Sequence, residues 1–153
     1  QAGAKLARAK ELDTVQFAAG NIFALPLVDK SADLVYSIFA PIPGEQAARI
    51  LKKDGALVVV SAGREHLWEM RCALYGQPRV SEGVQMPAGF TVAERETLSY
   101  EIDLPDQETI AALFTMTPFY YRCPREGRDR LLTLDKLTVK VEVDFAVLVM
   151  DNA

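Results

Sequence analysis

The sequence contains a single histidine, His66, and its side chain is the best suited in the chain to move a proton near neutral pH. Glu65 and Glu69 flank it as weaker candidates for a general base, because their spacing also suits the solvated face of a helix. A local hydrogen bond at the start of a helix is the alternative role of His66, and the sequence leaves both open. One histidine excludes the common multi-histidine metal sites, and Cys72 and Cys123 lie too far apart for a zinc knuckle, so we predict no metal.

Arginine and aromatic side chains add a second kind of chemistry, the recognition of phosphates and bases. Three arginines carry the guanidinium group that binds phosphate in a bidentate manner: Arg64, Arg71 and Arg79. The run Phe119-Tyr120-Tyr121 is able to stack on an extruded base, whereas we expect Trp68 to pack in the core. Between Arg122 and Lys140 basic residues outnumber acidic ones, and we interpret this stretch as the solvated face of a helix.

The composition describes one domain-sized chain with a packed core. Its 153 residues are 50% hydrophobic and 25% charged, and the formal net charge is −4. That charge argues against a generally basic nucleic-acid binder, and we expect no DNA partner. The apolar runs are too short to span a membrane, no secretory leader opens the chain, and two cysteines form no disulfide framework. We therefore predict a cytoplasmic protein without a membrane contact.

Strands and helices alternate through the first half of the chain, and two long strands come later. The predicted helices cover residues 2–12, Gly44–Lys53, Glu65–Tyr75 and Pro105–Phe114. The predicted strands cover Thr14–Ala19, Ser31–Ile38, Ala56–Ala62, Phe90–Leu104 and Leu137–Met150. Asp54-Gly55 is expected to end the second helix, and Pro78–Gly89 is expected to be a loop or lid. The alternation predicts a parallel α/β sheet covered on both faces, with antiparallel late strands at one edge.

The segment Gly20–Val35 resembles the third and fourth motifs of the class I S-adenosylmethionine-dependent methyltransferases. Thr14–Ala19 corresponds to strand three of that family and Ser31–Ile38 to strand four. Asn21 takes the polar position after strand three, Leu25-Pro26 matches the Leu-Pro step, and the Asp29-x-Ser31 turn leads into strand four. Lys52-Lys53-Asp54-Gly55 is similar to the family's Lys-Pro-Gly-Gly turn into strand five. The resemblance implies a Rossmann-like methyltransferase sheet with S-adenosylmethionine as the cofactor.

Three further segments are similar to the bacterial 23S ribosomal RNA guanine-N1 methyltransferases: Ile38–Pro41, Arg64–Met70 and Met116–Phe119. Their order and spacing also fit, so the resemblance covers nearly the whole chain. It implies methyl transfer from S-adenosylmethionine to guanine N1 of 23S ribosomal RNA, with ribosomal RNA as the partner. Guanine N1 carries a proton near neutral pH, which gives His66 a task as a base. The methyl transfer itself needs no metal.

The resemblance also implies roles for particular residues. Asn21 is expected to hydrogen-bond the adenine edge of the cofactor, and Ile22 to pack on the adenine face. The loop after strand four, where the donor methyl meets the target base, implies catalytic or cofactor contacts for Ser37, Ile38, Phe39 and Pro41. Substrate contacts are expected from Arg64, Met116, Thr117, Pro118 and Phe119. Each of these residues also has an ordinary structural alternative, in a turn, in the core or on the surface.

Several parts that this family shares are absent from the sequence. A zinc module with four cysteines, a Gly-x-Gly loop and the first two strands do not occur in the 153 residues. We therefore interpret residues 1–153 as the carboxyl-terminal part of such a domain, expected to be inactive alone. The unpaired edges of strands three and four predict a homodimer or swapped assembly. Two other functions stay open: a small-molecule methyltransferase, which the acidic charge favours, and a non-catalytic half-domain.

Overall fold

The computed structural model describes residues 14–41, 43–80, 83 and 86–151 of the chain. Within these residues the strands are β1 (Ala32–Ile38), β2 (Leu51–Ala62), β3 (Phe90–Leu104) and β4 (Leu137–Met150). The helices are α1 (Gly44–Ile50), α2 (Trp68–Tyr75), α3 (Gln107–Thr115), α4 (Phe119–Arg122) and α5 (Arg125–Leu132). The helix predicted over residues 2–12 lies outside the described residues, as do residues 81, 82, 84 and 85 of the predicted lid.

The described strands form one sheet with the order β1-β2-β4-β3. β1 and β2 run parallel, and β4 lies antiparallel between β2 and β3. The predicted α/β sheet with late antiparallel pairing is confirmed, as are the predicted bounds of β3 and β4. The two late strands lie together at one side of the sheet, as predicted, with β3 at the edge. The apolar run Phe145–Met150 suits the inner position of β4, which has neighbours on both sides and cover on parts of both faces.

The strand predicted over Thr14–Ala19 is wrong, since residues 15–20 adopt no regular secondary structure. Val15 and Phe17, the apolar residues of its alternating pattern, are both exposed. A strand needs a neighbour that completes its backbone hydrogen bonds. Among the described strands β1 pairs only with β2, so no ladder reaches this segment.

The helix predicted over Gly44–Lys53 ends earlier than expected. α1 stops at Ile50, and Leu51 already has extended backbone angles because it pairs with Ala32 of β1. Gly55 therefore does not terminate a helix. A Cβ at this position would lie 3.0 Å from the carbonyl oxygen of Asp33, so glycine permits the close approach of β1 and β2.

Two apolar clusters lie on opposite faces of the sheet. The first packs α1 on β2, β3 and the end of β4, and it buries Leu57 and Leu148. The second packs α2, α3 and α5 on the beginning of β4, and it buries Met70, Phe114 and Val139. The positions of Val139 and Leu148 in β4 differ by an odd number, which places their side chains on opposite faces of the sheet. Each face of the sheet is therefore covered at only one end of β4.

The second face is left open where β1 crosses it. Leu34, Tyr36 and Ile38 are 51%, 61% and 59% exposed, and their partners in β2 are only half-buried. The prediction of a sheet covered on both faces is therefore wrong for this part of the described chain. An apolar strand at a sheet edge with an open face is a surface on which another chain can pair or pack.

The predicted homodimer can be tested on this open face. The unchanged chain is expected to be dimeric in light scattering at high protein concentration, and Tyr36→Lys is expected to be monomeric because it places a charge on the face. Met116→Lys replaces an apolar residue that is 83% exposed outside the sheet, and it should leave the assembly unchanged. A monodisperse monomer for the unchanged chain would contradict the prediction.

Helix α5 approaches the end of α2 at Gly127, which is buried. A Cβ at this position would lie 2.7 Å from the carbonyl carbon of Leu74. Gly127→Ala is therefore expected to lower the free energy of unfolding by about 2 kcal/mol, because the two helices must separate. Asp129→Ala, an exposed change on the same helix, should alter it by less than about 0.5 kcal/mol. Urea denaturation measures both, and equal effects would show that the contact is not tight.

Candidate active site

Phe39 and His66 meet at the carboxyl end of the parallel pair β1 and β2. β1 ends at Ile38 and β2 at Ala62, so the loops that follow them leave the same edge of the sheet. The ring centroids of Phe39 and His66 are 5.8 Å apart, with 40° between the ring planes. Phe39 is 58% exposed, whereas His66 is half-buried. Ligands of open α/β sheets bind at this edge, so the pair is the centre of the candidate site.

Strand β4 fixes the His66 ring through one of its two nitrogens. Nδ1 lies 2.9 Å from the carbonyl oxygen of Glu142 and 3.3 Å from its amide nitrogen. The shorter contact favours a protonated Nδ1 that donates to the carbonyl. Nε2 then carries the lone pair, and within the described residues it has no hydrogen-bond partner. A neutral ring held in this way offers a proton acceptor at Nε2.

The surroundings of His66 keep its ring neutral at pH 7. Burial lowers the pKa of His66 below its ordinary 6.5, because a charged imidazolium loses hydration there. The hydrogen bond to the Glu142 carbonyl works in the opposite direction, and the positive charge of Arg71 adds to the lowering. An unprotonated imidazole at neutral pH is the form that a general base requires.

The two neighbouring carboxylates are engaged in bonds to β4. The carboxylate of Glu65 lies 2.6 Å from Nζ of Lys140, and that hydrogen bond and the lysine charge lower the pKa of Glu65 below its ordinary value. Glu69 accepts a hydrogen bond of 2.8 Å from the backbone amide of Lys140. The carboxylate of Glu142 accepts a hydrogen bond of 3.1 Å from the amide of Glu65. These bonds tie the beginning of α2 to β4 and leave His66 as the base candidate.

Backbone strain marks both sides of the site. Phe39 has φ 47° and Leu67 has φ 52°, in the left-handed region that side chains other than glycine rarely adopt. The amide of Phe39 donates to the carbonyl of Val60 at 2.8 Å, and the amide of Leu67 donates to that of Lys140 at 2.7 Å. Proteins keep strained residues of this kind mainly where the surrounding structure holds them for a functional geometry.

The loop after β1 is supported from within by Ser37. Its side chain is buried, and its hydroxyl lies 3.2 Å from the carbonyl oxygen of Ala40 and 3.4 Å from that of Pro41. The hydroxyl therefore positions the loop. Ile38 and Pro41 are exposed beside Phe39, where a ligand at the sheet edge can reach them.

A tight turn at Asn21 lies against the first turn of α1. Oδ1 of Asn21 accepts a hydrogen bond of 2.9 Å from the amide of Phe23, and the amide of Leu25 donates to Gln46 at 3.1 Å. The guanidinium of Arg49 donates to the carbonyl of Leu25 at 2.8 Å. Because α1 begins shortly after the loop that carries Phe39, these bonds hold the turn near the same edge of the sheet.

The chemistry of this turn fits the adenine end of S-adenosylmethionine. Oδ1 of Asn21 keeps a second lone pair, and within the described residues its Nδ2 donors have no partner. An adenine edge presents both donors and acceptors, which a carboxamide can match. Ile22 is half-buried and offers apolar surface beside it.

The predicted phosphate-binding arginines have different surroundings. Arg71 is buried, lies 5.3 Å over the Trp68 ring, and donates to the carbonyls of Arg64 and Arg79. It therefore joins the segments on either side of α2 and is not available to a substrate. Arg64 and Arg79 are exposed, and a substrate contact for Arg64 stays a prediction.

The predicted substrate segment Met116–Phe119 lies apart from the Phe39–His66 pair. Phe119 contacts Tyr75 edge-on at 6.2 Å, at the end of α2 that is distant from His66. The eight residues of α2 rise about 10 Å along the helix axis. Thr117 is buried and its hydroxyl donates to a carbonyl of α3, so it serves the helix end. The remaining residues are exposed or half-buried: Met116, Pro118 and Phe119.

Two supporting residues of the site do not stand out in the sequence. Glu142 orients His66 from a position 76 residues away, and Gln46 holds the turn at Asn21 from the next helix. Neither residue belongs to a motif that suggested the site. A signal for them requires the register of β4 and the docking of α1, which residue patterns alone do not provide.

Comparison with solved structures decides the fold. YcgJ of Bacillus subtilis matches with a TM-score of 0.54 at 13% identity, over 97% of this chain and 77% of YcgJ. BH2331 of Bacillus halodurans C-125, named as a putative methyltransferase, matches with a TM-score of 0.50 at 17% identity, over 94% and 77%. The chain has the fold of the class I methyltransferases. The [4+2]-cyclase SpnF also matches, with a TM-score of 0.51 at 16% identity over 98% and 61%, so the fold alone does not fix the reaction.

Sequence relatives agree with the motifs. The Bacillus subtilis (strain 168) protein YxjB, named "Putative 23S rRNA (guanine-N(1)-)-methyltransferase", is 26% identical over 147 residues, 93% of this chain and 52% of YxjB. A Micromonospora griseorubida protein of the same designation is 44% identical over 46 residues, 30% of this chain and 16% of that protein. No family model matches the chain. The predicted resemblance is confirmed, and the chain spans about half the length of YxjB.

The single histidine allows a direct test of the site by NMR. We expect the His66 ring to titrate below 6.5, and Phe39→Ala to move its pKa towards 6.5 because more of the ring meets water. The imidazole of His66 binds a proton more readily in the unfolded chain than in the folded one. The contribution of His66 to the free energy of unfolding is therefore complete above about pH 6.5 and is lost as the pH falls through the pKa of the folded chain. A His66 pKa at or above 6.5 would contradict the buried neutral ring.

Proposed function

We propose that the protein containing this chain transfers a methyl group from S-adenosylmethionine to guanine N1 of 23S ribosomal RNA. The observation that supports it most is a neutral histidine beside an exposed phenylalanine at the ligand edge of a methyltransferase fold. The name of YxjB points to the same reaction. Among the described residues no helix is both long and apolar enough to cross a membrane.

His66 is the proposed general base. Guanine N1 carries a proton that must leave before, or as, the nitrogen forms its new bond to carbon. Nε2 of His66 accepts this proton, while Nδ1 keeps its hydrogen bond to the carbonyl of Glu142. The carbonyl and the carboxylate of Glu142 both stabilise the positive imidazolium that results. The negative charge that offsets the accepted proton is therefore already in place.

Phe39 is proposed to hold the target base. Its exposed ring provides a face on which an extruded guanine stacks, as in other enzymes that act on bases. The left-handed backbone of Phe39 and the Ser37 hydroxyl fix the loop, which limits the positions that the base can take. Alignment and the exclusion of water are the contributions that a direct methyl displacement needs from the protein.

Asn21 and Ile22 are proposed to hold the adenine of the cofactor, with Ile38 next to the methyl-bearing end. S-adenosylmethionine would supply the methyl group from its sulfonium sulfur. The leaving group would be the thioether S-adenosylhomocysteine. Because the chain spans about half the length of YxjB, we propose that it is inactive alone.

The proposed function predicts a specific product. The complete gene product that contains this chain, incubated with S-adenosylmethionine and a 23S ribosomal RNA transcript, should form N1-methylguanosine, identified by mass spectrometry of the nucleosides. His66→Gln should lower the rate at pH 7 by about 100-fold or more, because the proton acceptor is lost. Glu65→Gln removes the neighbouring carboxylate and should keep most of the rate.

Three results would contradict this assignment. Methylation of a different guanine atom would remove the role of His66 at N1. Equal losses for His66→Gln and Glu65→Gln would point to disturbed packing at the beginning of α2. Methylation of a small molecule with no methylation of RNA would favour the small-molecule enzyme, which the net charge of −4 also fits.

A further inference from the structure

Helix α4 presents an aromatic side chain that the proposed reaction does not use. Tyr121 is 82% exposed, and Met116, in the connection that precedes α4, is 83% exposed. Exposure alone is ordinary for single surface residues, so the case for a ligand depends on the groups around Tyr121. Tyrosine carries a flat face that stacks on a nucleotide base and a hydroxyl that stays in water.

The exposed ring is supported by a stack of side chains beneath it. Tyr121 contacts Tyr120 edge-on, with ring centroids 5.1 Å apart. The guanidinium of Arg128 lies 4.6 Å over the Tyr120 ring and donates to the Tyr120 carbonyl at 2.7 Å. Phe114 of the core contacts the same ring at 5.4 Å. Tyr121 therefore packs against a side chain that is itself held in place, which reduces the entropy lost when a ligand binds.

The charge around Tyr121 is complementary to nucleic acid. Between Arg122 and Arg130 four arginines stand against Glu126 and Asp129, in a chain whose net charge is −4. Arg122 and Arg125 are exposed, and neither takes part in an ion pair within the described residues. Two exposed arginines that follow an exposed tyrosine by one and four positions supply groups that bind phosphates and a base of single-stranded nucleic acid.

The position of this surface suits a nucleotide other than the target. Helix α2 begins two residues after His66 and ends at Tyr75, whose ring contacts Phe119 of α4. The eight residues of α2, which rise about 10 Å along the helix axis, therefore lie between His66 and the contact with α4. A base that stacked on Tyr121 would thus be a different base from one held at Phe39.

We propose that Tyr121, Arg122 and Arg125 form a second RNA contact, which binds an unpaired nucleotide near the target guanine. Tyr121 stacks on the base, and the two arginines bind the adjoining phosphates. This inference rests on the proposed function for the identity of the strand. It separates the solvated stretch Arg122–Lys140 into arginines that brace the fold, such as Arg128, and arginines that face the substrate.

The contact can be measured by fluorescence anisotropy with this chain and a guanine-containing single-stranded RNA of about ten nucleotides. Tyr121→Ala should weaken binding by about five-fold or more, and Tyr121→Phe should restore it, because stacking needs only the ring. Tyr100→Ala removes an exposed tyrosine from β3 and should leave binding unchanged. An RNA of the same length with abasic central positions should not distinguish Tyr121→Ala from the unchanged chain.

Arg122→Gln tests the phosphate contact separately. It should lower the slope of log affinity against log salt concentration by about 1, whereas Lys53→Gln, which removes an equal charge from exposed β2, should not. The proposal of a second contact is overturned if Tyr121→Ala binds the RNA as tightly as the unchanged chain, or if Tyr100→Ala loses as much affinity as Tyr121→Ala. It is also overturned if the unchanged chain does not bind RNA. Formation of N1-methylguanosine by the complete protein would show that only this inference, and not the proposed function, had failed.

Discussion

The carbonyl oxygen of Glu142 is the constraint on which the site depends. It accepts the amide of Gly63 at 2.8 Å and the Nδ1 proton of His66 at 2.9 Å. The ladder between β2 and β4 ends just before it, at the pair of Ala62 and Val143. Gly63 leaves room there for the Glu142 side chain, because a Cβ would lie 2.5 Å from the Glu142 carboxylate oxygen. One position on β4 thus ends a strand, directs the chain into α2 and sets the tautomer of the proposed base.

The two sides of the site differ in their exposure to solvent. His66 is attached to β4, a strand with neighbours on both sides whose register is fixed by burial on parts of both faces. Phe39 follows β1, which pairs on one side only among the described strands and has one open face. A half-buried base candidate opposite a more exposed aromatic ring fits the proposed reaction, in which a bulky substrate must enter and meet one proton acceptor.

The sequence predicts those features that depend on local residue types. The long strands β3 and β4 follow from their β-branched residues, and the helix predicted over Pro105–Phe114 is found as α3. The failures involve distant pairing. Thr14–Ala19 has the pattern of a strand but no partner among the described strands. Leu51 fits the helical pattern of its segment, but it pairs with Ala32 of β1 and is extended.

The site shows the same division between local and distant information. Ser37 was predicted from its motif, but only the folded loop shows that its hydroxyl binds the carbonyls of Ala40 and Pro41. The segment Met116–Phe119 was predicted to contact the substrate, yet α2 separates it from His66. Motif similarity suggests candidate residues, whereas the packing of helices decides which of them lie close together.

Calorimetric titration with S-adenosylhomocysteine is the most direct test of the proposal that His66 and Asn21 belong to one methyltransferase site. We expect no saturable binding to the 153-residue chain. We expect micromolar binding to the complete protein, weakened by Asn21→Ala. Micromolar binding to the chain alone, or none to the complete protein, would contradict it.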